Sequence, residues 1–161
     1  MEMTSPEPFA EAAQAAAQHA ADQVAALCWR RRRGAVQVLL ISSRDSGRWV
    51  IPKGWPIAGL STADAAAREA WEEAGVEGKV QATPLGAFGY DKLARMSVTV
   101  RCLVAVHALR VLALKDRFPE AGQRRRAWFN PAEAAGLVAE PQLQHLLRII
   151  DATPDLLRRP A

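Results

Sequence analysis

Ser61-Thr62-Ala63-Asp64-Ala65-Ala66-Ala67-Arg68-Glu69-Ala70-Trp71-Glu72-Glu73-Ala74-Gly75 reads as one helix with both ends marked. Ser61 has the form of an N-cap with Asp64 three residues on, the spacing of a capping box, and Gly75 supplies the residue that can end a helix in the left-handed region. On that helix Glu69, Glu72 and Glu73 stand three and four residues apart, so they project from one face. Like charges at such spacings repel by roughly 0.2–0.5 kcal/mol per pair, and Glu72 and Glu73 lie in the last turn, where the helix dipole disfavours carboxylates. A bound divalent cation reverses both penalties, because Mg²⁺ takes oxygen ligands and bridges protein carboxylates to phosphates. Three glutamates alone are more simply a solvated acidic face. Their neighbours favour a site: Arg68, four residues before Glu72, can orient its carboxylate, and Pro52-Lys53-Gly54 sets a cation and an open backbone position ahead of the helix.

Upstream, Val24 to Trp29 and Val36 to Ile41 read as two strands joined by the basic turn Arg30 to Gly34, a hairpin. Ser42 to Gly47 is turn chemistry, and Trp49 to Ile51 is a short strand stopped by Pro52. Downstream, strands are expected at Lys79–Ala82, Leu85–Tyr90, Val98–Leu109 and Ala127–Phe129, and helices near Pro131–Ala135 and Pro141–Ile150. The order is mainly β, one central helix, mainly β, then helix. This favours an α+β fold, a mixed sheet with helices packed on it, over alternating parallel βαβ units. Residues 1–22 form an N-terminal extension, with Ser5–Ala21 fitting a marginal surface helix; residues 23–152 are the domain, and 153–161 a C-terminal tail.

With Gly54 in place, the chain resembles the Nudix box, G-x5-E-x7-R-E-U-x-E-E-x-G-U with U aliphatic: Gly54 matches its first glycine and Arg68 through Val76 its whole second half. Leu60 stands where the pattern has its first Glu, in the family chiefly a structural residue or secondary metal ligand. The resemblance covers roughly Gln23 to Ile150. The segments Arg48–Gly54, Gly86-Ala87-Phe88 and Gly122–Phe129 are similar to the branch containing diphosphoinositol polyphosphate and diadenosine polyphosphate phosphohydrolases. It implies an α/β/α sandwich carrying a catalytic loop-helix-loop, a Mg²⁺ cofactor with Mn²⁺ as substitute, and attack of water on a phosphoanhydride. Glu69, Glu72 and Glu73, with the carbonyl of Gly54, would hold metal. Glu72, oriented by Arg68, is the leading base, and Glu120 the later-loop alternative. Lys53, Arg124, Arg125 and Arg126 would bind substrate phosphates; on a strand, Arg124 and Arg126 would share one face. A charge-guarded edge strand is the less favoured alternative for that run.

Other features carry less. Cys28 and Cys102 lie in apolar runs without ligand spacing and read as reduced core thiols. Trp49, Trp55 and Trp128 are more simply packing than base-stacking residues, and His19, His107 and His145 lack catalytic partners at useful spacing. The formal charge of +4 is concentrated at Arg30–Arg33 and Arg124–Arg126, which suits an anionic small molecule better than a nucleic-acid coat. Met1 to Asp22 carries no Lys or Arg and no apolar export core, and no stretch reaches membrane-spanning length, so a cytoplasmic protein without a membrane partner is expected. Oligomeric state has no signature in the sequence. The alternatives are a nucleoside triphosphate or RNA 5′-end pyrophosphohydrolase, or a catalytically silent nucleotide-sensing module; the missing aromatic platform argues against RNA as main partner.

Overall fold

The computed structural model describes residues 22–93 and 99–158, apart from the side chain of Leu93. The expected Ser5–Ala21 helix lies outside the described residues. In chain order the elements are β1 (Gln23–Arg32), β2 (Ala35–Ser42), β3 (Trp49–Val50), β4 (Lys53–Gly54), α1 (Thr62–Ala74), β5 (Val76–Val80), β6 (Gly86–Leu93), β7 (Thr99–Leu114), β8 (Arg126–Phe129), α2 (Pro131–Leu137), α3 (Pro141–Ala152) and a 3-10 turn (Pro154–Arg158).

The sheet is mixed. β1 runs parallel to β7 and antiparallel to β2, and the path β3-β2-β1-β7-β5 carries β4 on β1, β6 on β7 and β8 on β2. The β1–β2 hairpin turns through Arg33 and Gly34, both at positive φ, the geometry that matches the twist of the flanking strands. Side-chain alternation along the central strands builds two cores. Ala25, Leu27 and Trp29 of β1, with Val36, Val38 and Leu40 of β2, meet α2, α3 and the 3-10 turn, while Val24, Ala26 and Cys28, with Leu39 and Ile41, meet α1. This is the α/β/α sandwich.

α1 lies close to the sheet because its inward residues are small: Ala65, Ala66, Ala70 and Ala74 are all fully buried. Ser61 Oγ accepts from the Asp64 amide at 3.1 Å, so the expected N-cap forms. Gly75 ends the helix at φ 70°, and a β-carbon there would also strike Phe118 and the Lys115 carbonyl.

Four expectations are corrected. β5 begins directly after Gly75, drawn forward by antiparallel pairing with the end of β7, which itself runs to Leu114. β4 has too few residues to show a periodicity, and only its pairing with Val24 and Ala25 makes it a strand. The C-terminal segment is more than a tail through residue 158: Leu157 is 1% exposed in the α3-side core. Finally, β8 starts at Arg126, so Arg124 precedes the strand and does not share a strand face with Arg126.

Candidate active site

β4 and α1 position the first part of the site. Gly54 lies so close to Glu69 that a β-carbon on it would overlap the carboxylate, 2.7 Å from Oε2. Its lack of a side chain is therefore a matter of space. One residue earlier, the Lys53 amide donates to Glu73 Oε2 at 3.2 Å. The strand thus touches the helix through two of the three glutamates, Glu69 and Glu73, which are four residues apart.

The loop before β8 supplies the opposing charge. The Arg124 guanidinium, with its side chain 10% exposed, reaches Glu73 Oε1 at 3.5 Å and Glu120 Oε1 at 3.4 Å, and donates to the Ser42 carbonyl at 3.3 Å. Arg44 approaches the same Glu120 oxygen at 3.5 Å. The Glu120 amide donates to the Glu72 carbonyl at 3.0 Å, docking this loop on the end of α1.

These surroundings hold two carboxyls well above the ordinary value of 4.5. Glu69 is pushed up to about 6, first by burial and then by the charges of Glu72 and Glu120. Glu73 is pushed up to about 7 by burial, against the opposing pull of Arg124 and with a further push from Glu69. Burial also lowers Lys53 from its usual value, with Glu73 pulling the other way. Lys53 Nζ sits 4.8 Å from the centre of the Tyr90 ring, and the Tyr90 hydroxyl donates to Gln23 Oε1 at 2.6 Å.

Above these groups lies a cavity of about 600 Å³, lined by Lys53, Gly54 and Glu73 together with Arg44, Arg48, Lys92, Arg124, Tyr90, Trp55 and Glu140, among others. Among the described residues, the buried side-chain polar atoms without a hydrogen-bond partner are Arg124 Nε and Glu140 Oε2, both on residues lining this cavity. A donor and an acceptor left over in one cavity mark where a ligand's polar atoms would be satisfied.

The expected site residues divide. Lys53, Gly54, Glu69, Glu73, Arg124 and Glu120 come together. Glu72 is on the same helix, but no ion pair within 4.0 Å joins it to Arg68 among the described residues, so the expected orienting contact is absent. Arg126 is directed elsewhere: Nη1 donates to the carbonyls of Ala74 (2.9 Å) and Lys115 (2.7 Å), and Nη2 to Asp116 (3.3 Å). It closes the C-terminal end of α1, where a cation suits the helix dipole. Arg125 stays exposed, its guanidinium 4.9 Å from the Trp49 ring centre. Neither lines the cavity.

Arg44, Arg48, Lys92, Tyr90 and Glu140 were missed, because they come from the β2–β3 turn, the end of β6 and the residue before α3, which no single motif spacing links. Trp49 packs edge-on against Phe129 at 5.2 Å and Trp128 lies under Arg30 at 4.0 Å, whereas Trp55 is 54% exposed in the cavity. His107 is buried between the Gln81 carbonyl and Thr62 Oγ1, a packing role. Cys28 and Cys102 are buried free thiols.

The NUDIX domain model matches residues 21–150. The chain belongs to the Nudix family. It is 35% identical over 118 residues to Nudix hydrolase 13, mitochondrial, of Arabidopsis thaliana, covering 70% of this chain and 58% of that protein. It is 32% identical over 114 residues to human diphosphoinositol polyphosphate phosphohydrolase 3-alpha, covering 70% and 65%. The chain thus spans less than two thirds of the length of these relatives. A C. elegans Ap4A hydrolase structure shares the fold at TM-score 0.61 and 19% identity, covering 82% of this chain and 96% of that one.

Nudix hydrolases generally use divalent metals, and the donor set here fits one. Glu69, Glu72, Glu73 and Glu120 offer hard carboxylate oxygens, and burial pushes two of them, Glu69 and Glu73, toward the protonated form, a cost that a bound cation would offset. Among the described residues no three acidic, His or Cys side chains already converge as a cage; Arg124 takes the place between Glu73 and Glu120. Mg²⁺ does not need a full cage, since it keeps several waters and shares substrate phosphate oxygens. No helix among the described residues is long and apolar enough to cross a membrane.

Proposed function

We propose that this Nudix protein hydrolyses a phosphoanhydride bond in a diphosphate-linked, polyphosphorylated small molecule, a diadenosine polyphosphate or diphosphoinositol polyphosphate, with Mg²⁺ as its metal. The observation carrying this reading is that Glu73 faces a wall of cations, Lys53, Arg44, Arg48, Lys92 and Arg124, in one cavity, with the Glu69 carboxylate packed against Gly54 at its edge.

Bound Mg²⁺ would neutralise phosphate charge and lower the pKa of the attacking water. Glu69, Glu72 and Glu73 would hold it, with the Gly54 carbonyl at the cavity edge. Glu72 is the proposed base, because its carboxylate is not engaged by Arg124; Glu120, tied to Arg124 and Arg44, is the less available one. Lys53, Arg44, Arg48 and Lys92 would grip phosphates, and Arg124 Nε can donate to one of them. Glu140 Oε2 is placed to accept a hydrogen bond from a ligand hydroxyl or amino group, which a ribose, an inositol or an adenine offers. The phosphate-gripping role thus moves from Arg125 and Arg126 to the Ser43–Arg48 turn and Lys92.

The test is a substrate panel with Mg²⁺ or Mn²⁺ in which the phosphate content of each product is measured. Polyphosphorylated substrates should be preferred over nucleoside diphosphate sugars. A preference for the sugars would defeat the substrate assignment and leave the hydrolytic chemistry standing.

A further inference from the structure

A second cavity, of about 380 Å³, lies at the other end of β1. It is lined by Trp29, Arg31, Lys79, Val80, Gln81, Arg110, Leu157 and Arg158. Gln23 of the catalytic cavity and Trp29 are six residues apart on one strand, so the two openings are separated by about 20 Å.

The side chains are brought together by register. Arg110 of β7 is paired on one side with Trp29 of β1 and on the other with Lys79 of β5, a row across three adjacent strands. Arg31, two residues beyond Trp29, extends the row on the same face. The 3-10 turn forms the remaining wall: Gln81 Nε2 donates to the Leu157 carbonyl at 2.7 Å, which fixes Arg158 at the rim.

Four cations therefore line one cavity, and among the described residues no carboxylate lines it. Among the described residues none of the four makes an ion pair within 4.0 Å, although Arg44, Arg101, Arg124 and Arg126 all do so elsewhere. Arg31 has only a 3.4 Å contact to the Gly34 carbonyl. Lys79 and Arg110 are directly opposed across an antiparallel pair, an arrangement that destabilises a sheet unless an anion lies between them.

We infer that this cavity is a second binding site, separate from the catalytic one, for a compact chain of phosphates such as a tripolyphosphate group. Three guanidinium forks and an ammonium supply the several donors that adjacent phosphates require. The cavity has the size of a small-ligand site. Trp29 is only 4% exposed, so there is no open aromatic face on which a base could stack, and the phosphates are the part of a ligand that this site reads.

Inorganic tripolyphosphate, titrated calorimetrically into the full chain in chelator so that no hydrolysis occurs, tests this. Wild type should bind at two sites. Lys79→Gln/Arg110→Gln should weaken one by about tenfold or more and leave the other unchanged, and Lys53→Gln should do the reverse. The Lys79→Gln/Arg110→Gln variant should keep its kcat/KM in the hydrolytic assay and, without ligand, melt no lower than wild type, because a repulsive pair has been removed. A single site in wild type that Lys53→Gln abolishes would overturn the inference, as would two intact sites in the double variant. Because binding is read without turnover, this result stands or falls separately from the hydrolytic activity.

Discussion

The two ends of β1 handle positive charge in opposite ways. At the Gln23 end, Arg124 and Arg44 are met by Glu73 and Glu120, and the Lys53 amide by Glu73. At the Trp29 end, Arg31, Lys79, Arg110 and Arg158 are met by no carboxylate among the described residues. The first arrangement could exchange partners: were Glu73 and Glu120 to hold a divalent cation, the Arg124 guanidinium would be free for a phosphate. The second has nothing to exchange and can only be neutralised from outside. A site built for chemistry and a site built for binding are thus told apart by whether the protein carries its own counter-charges.

The sharpest break in that comparison comes from the carboxylates. Glu72→Gln should lower kcat by about 100-fold or more, the size typical of lost acid–base or metal chemistry, with the fold retained by circular dichroism; activity within a factor of a few of wild type would remove Glu72 from its role. Gly54→Ala comes next. The added methyl displaces the Glu69 carboxylate, a mobile side-chain end, so activity should fall by up to about 100-fold through misplacement while the melting temperature barely moves. A large loss of stability with activity retained in the folded fraction would show that Gly54 serves the backbone instead.

Two arginines two residues apart sharpen it further. Arg124→Gln should weaken Mg²⁺-supported turnover and cost stability by roughly 1.5–3 kcal/mol, since Glu73 and Glu120 lose their charged donor. Arg126→Gln should cost about 1 kcal/mol by opening the end of α1 and leave kcat/KM intact. Denaturant titrations and steady-state kinetics on the pair decide this, and equal kinetic losses would return Arg126 to the phosphate site.

The remaining effect is a pH dependence. Glu69 and Glu73 hold their protons more tightly when folded, at about 6 and about 7 against an ordinary 4.5. Their penalty is absent below pH 4.5, grows as pH rises, and is complete above pH 7, so the metal-free protein should lose stability across that window. Mg²⁺ should flatten the decline, and so should Glu73→Gln. A melting temperature that rises with pH from 5 to 8 in chelator would contradict the assignment.

The borders of α1 were legible because they rest on local chemistry: Ser61 as cap, Gly75 as stop, alanines inward. The Gly54–Glu69 approach was half legible, since the box spacing named both residues but not their contact. Arg68 and Glu72 were paired on spacing alone, and side-chain direction did not follow. Arg124 and Arg126 were assigned one role on an assumed strand, yet the strand begins between those roles, at Arg126, because pairing with Ile41 starts there. Arg44, Arg48, Lys92 and Glu140 carried no local signal, because a turn, a strand end and a helix start meet only in the fold. Of the cation row at Trp29 only Arg31, in the Arg30–Arg33 cluster, was marked, because Lys79 and Arg110 join it through cross-strand register.

The central claim is that Glu69, Glu72 and Glu73 support metal-dependent attack of water on a phosphoanhydride. The direct measurement is hydrolysis of a diadenosine polyphosphate in ¹⁸O-labelled water, with Mg²⁺ titrated from zero and the products resolved by mass. Turnover should rise from background with Mg²⁺ and place one ¹⁸O on a phosphate of one product. Turnover unchanged by Mg²⁺ or by chelator, or label found on no product phosphate, would contradict it.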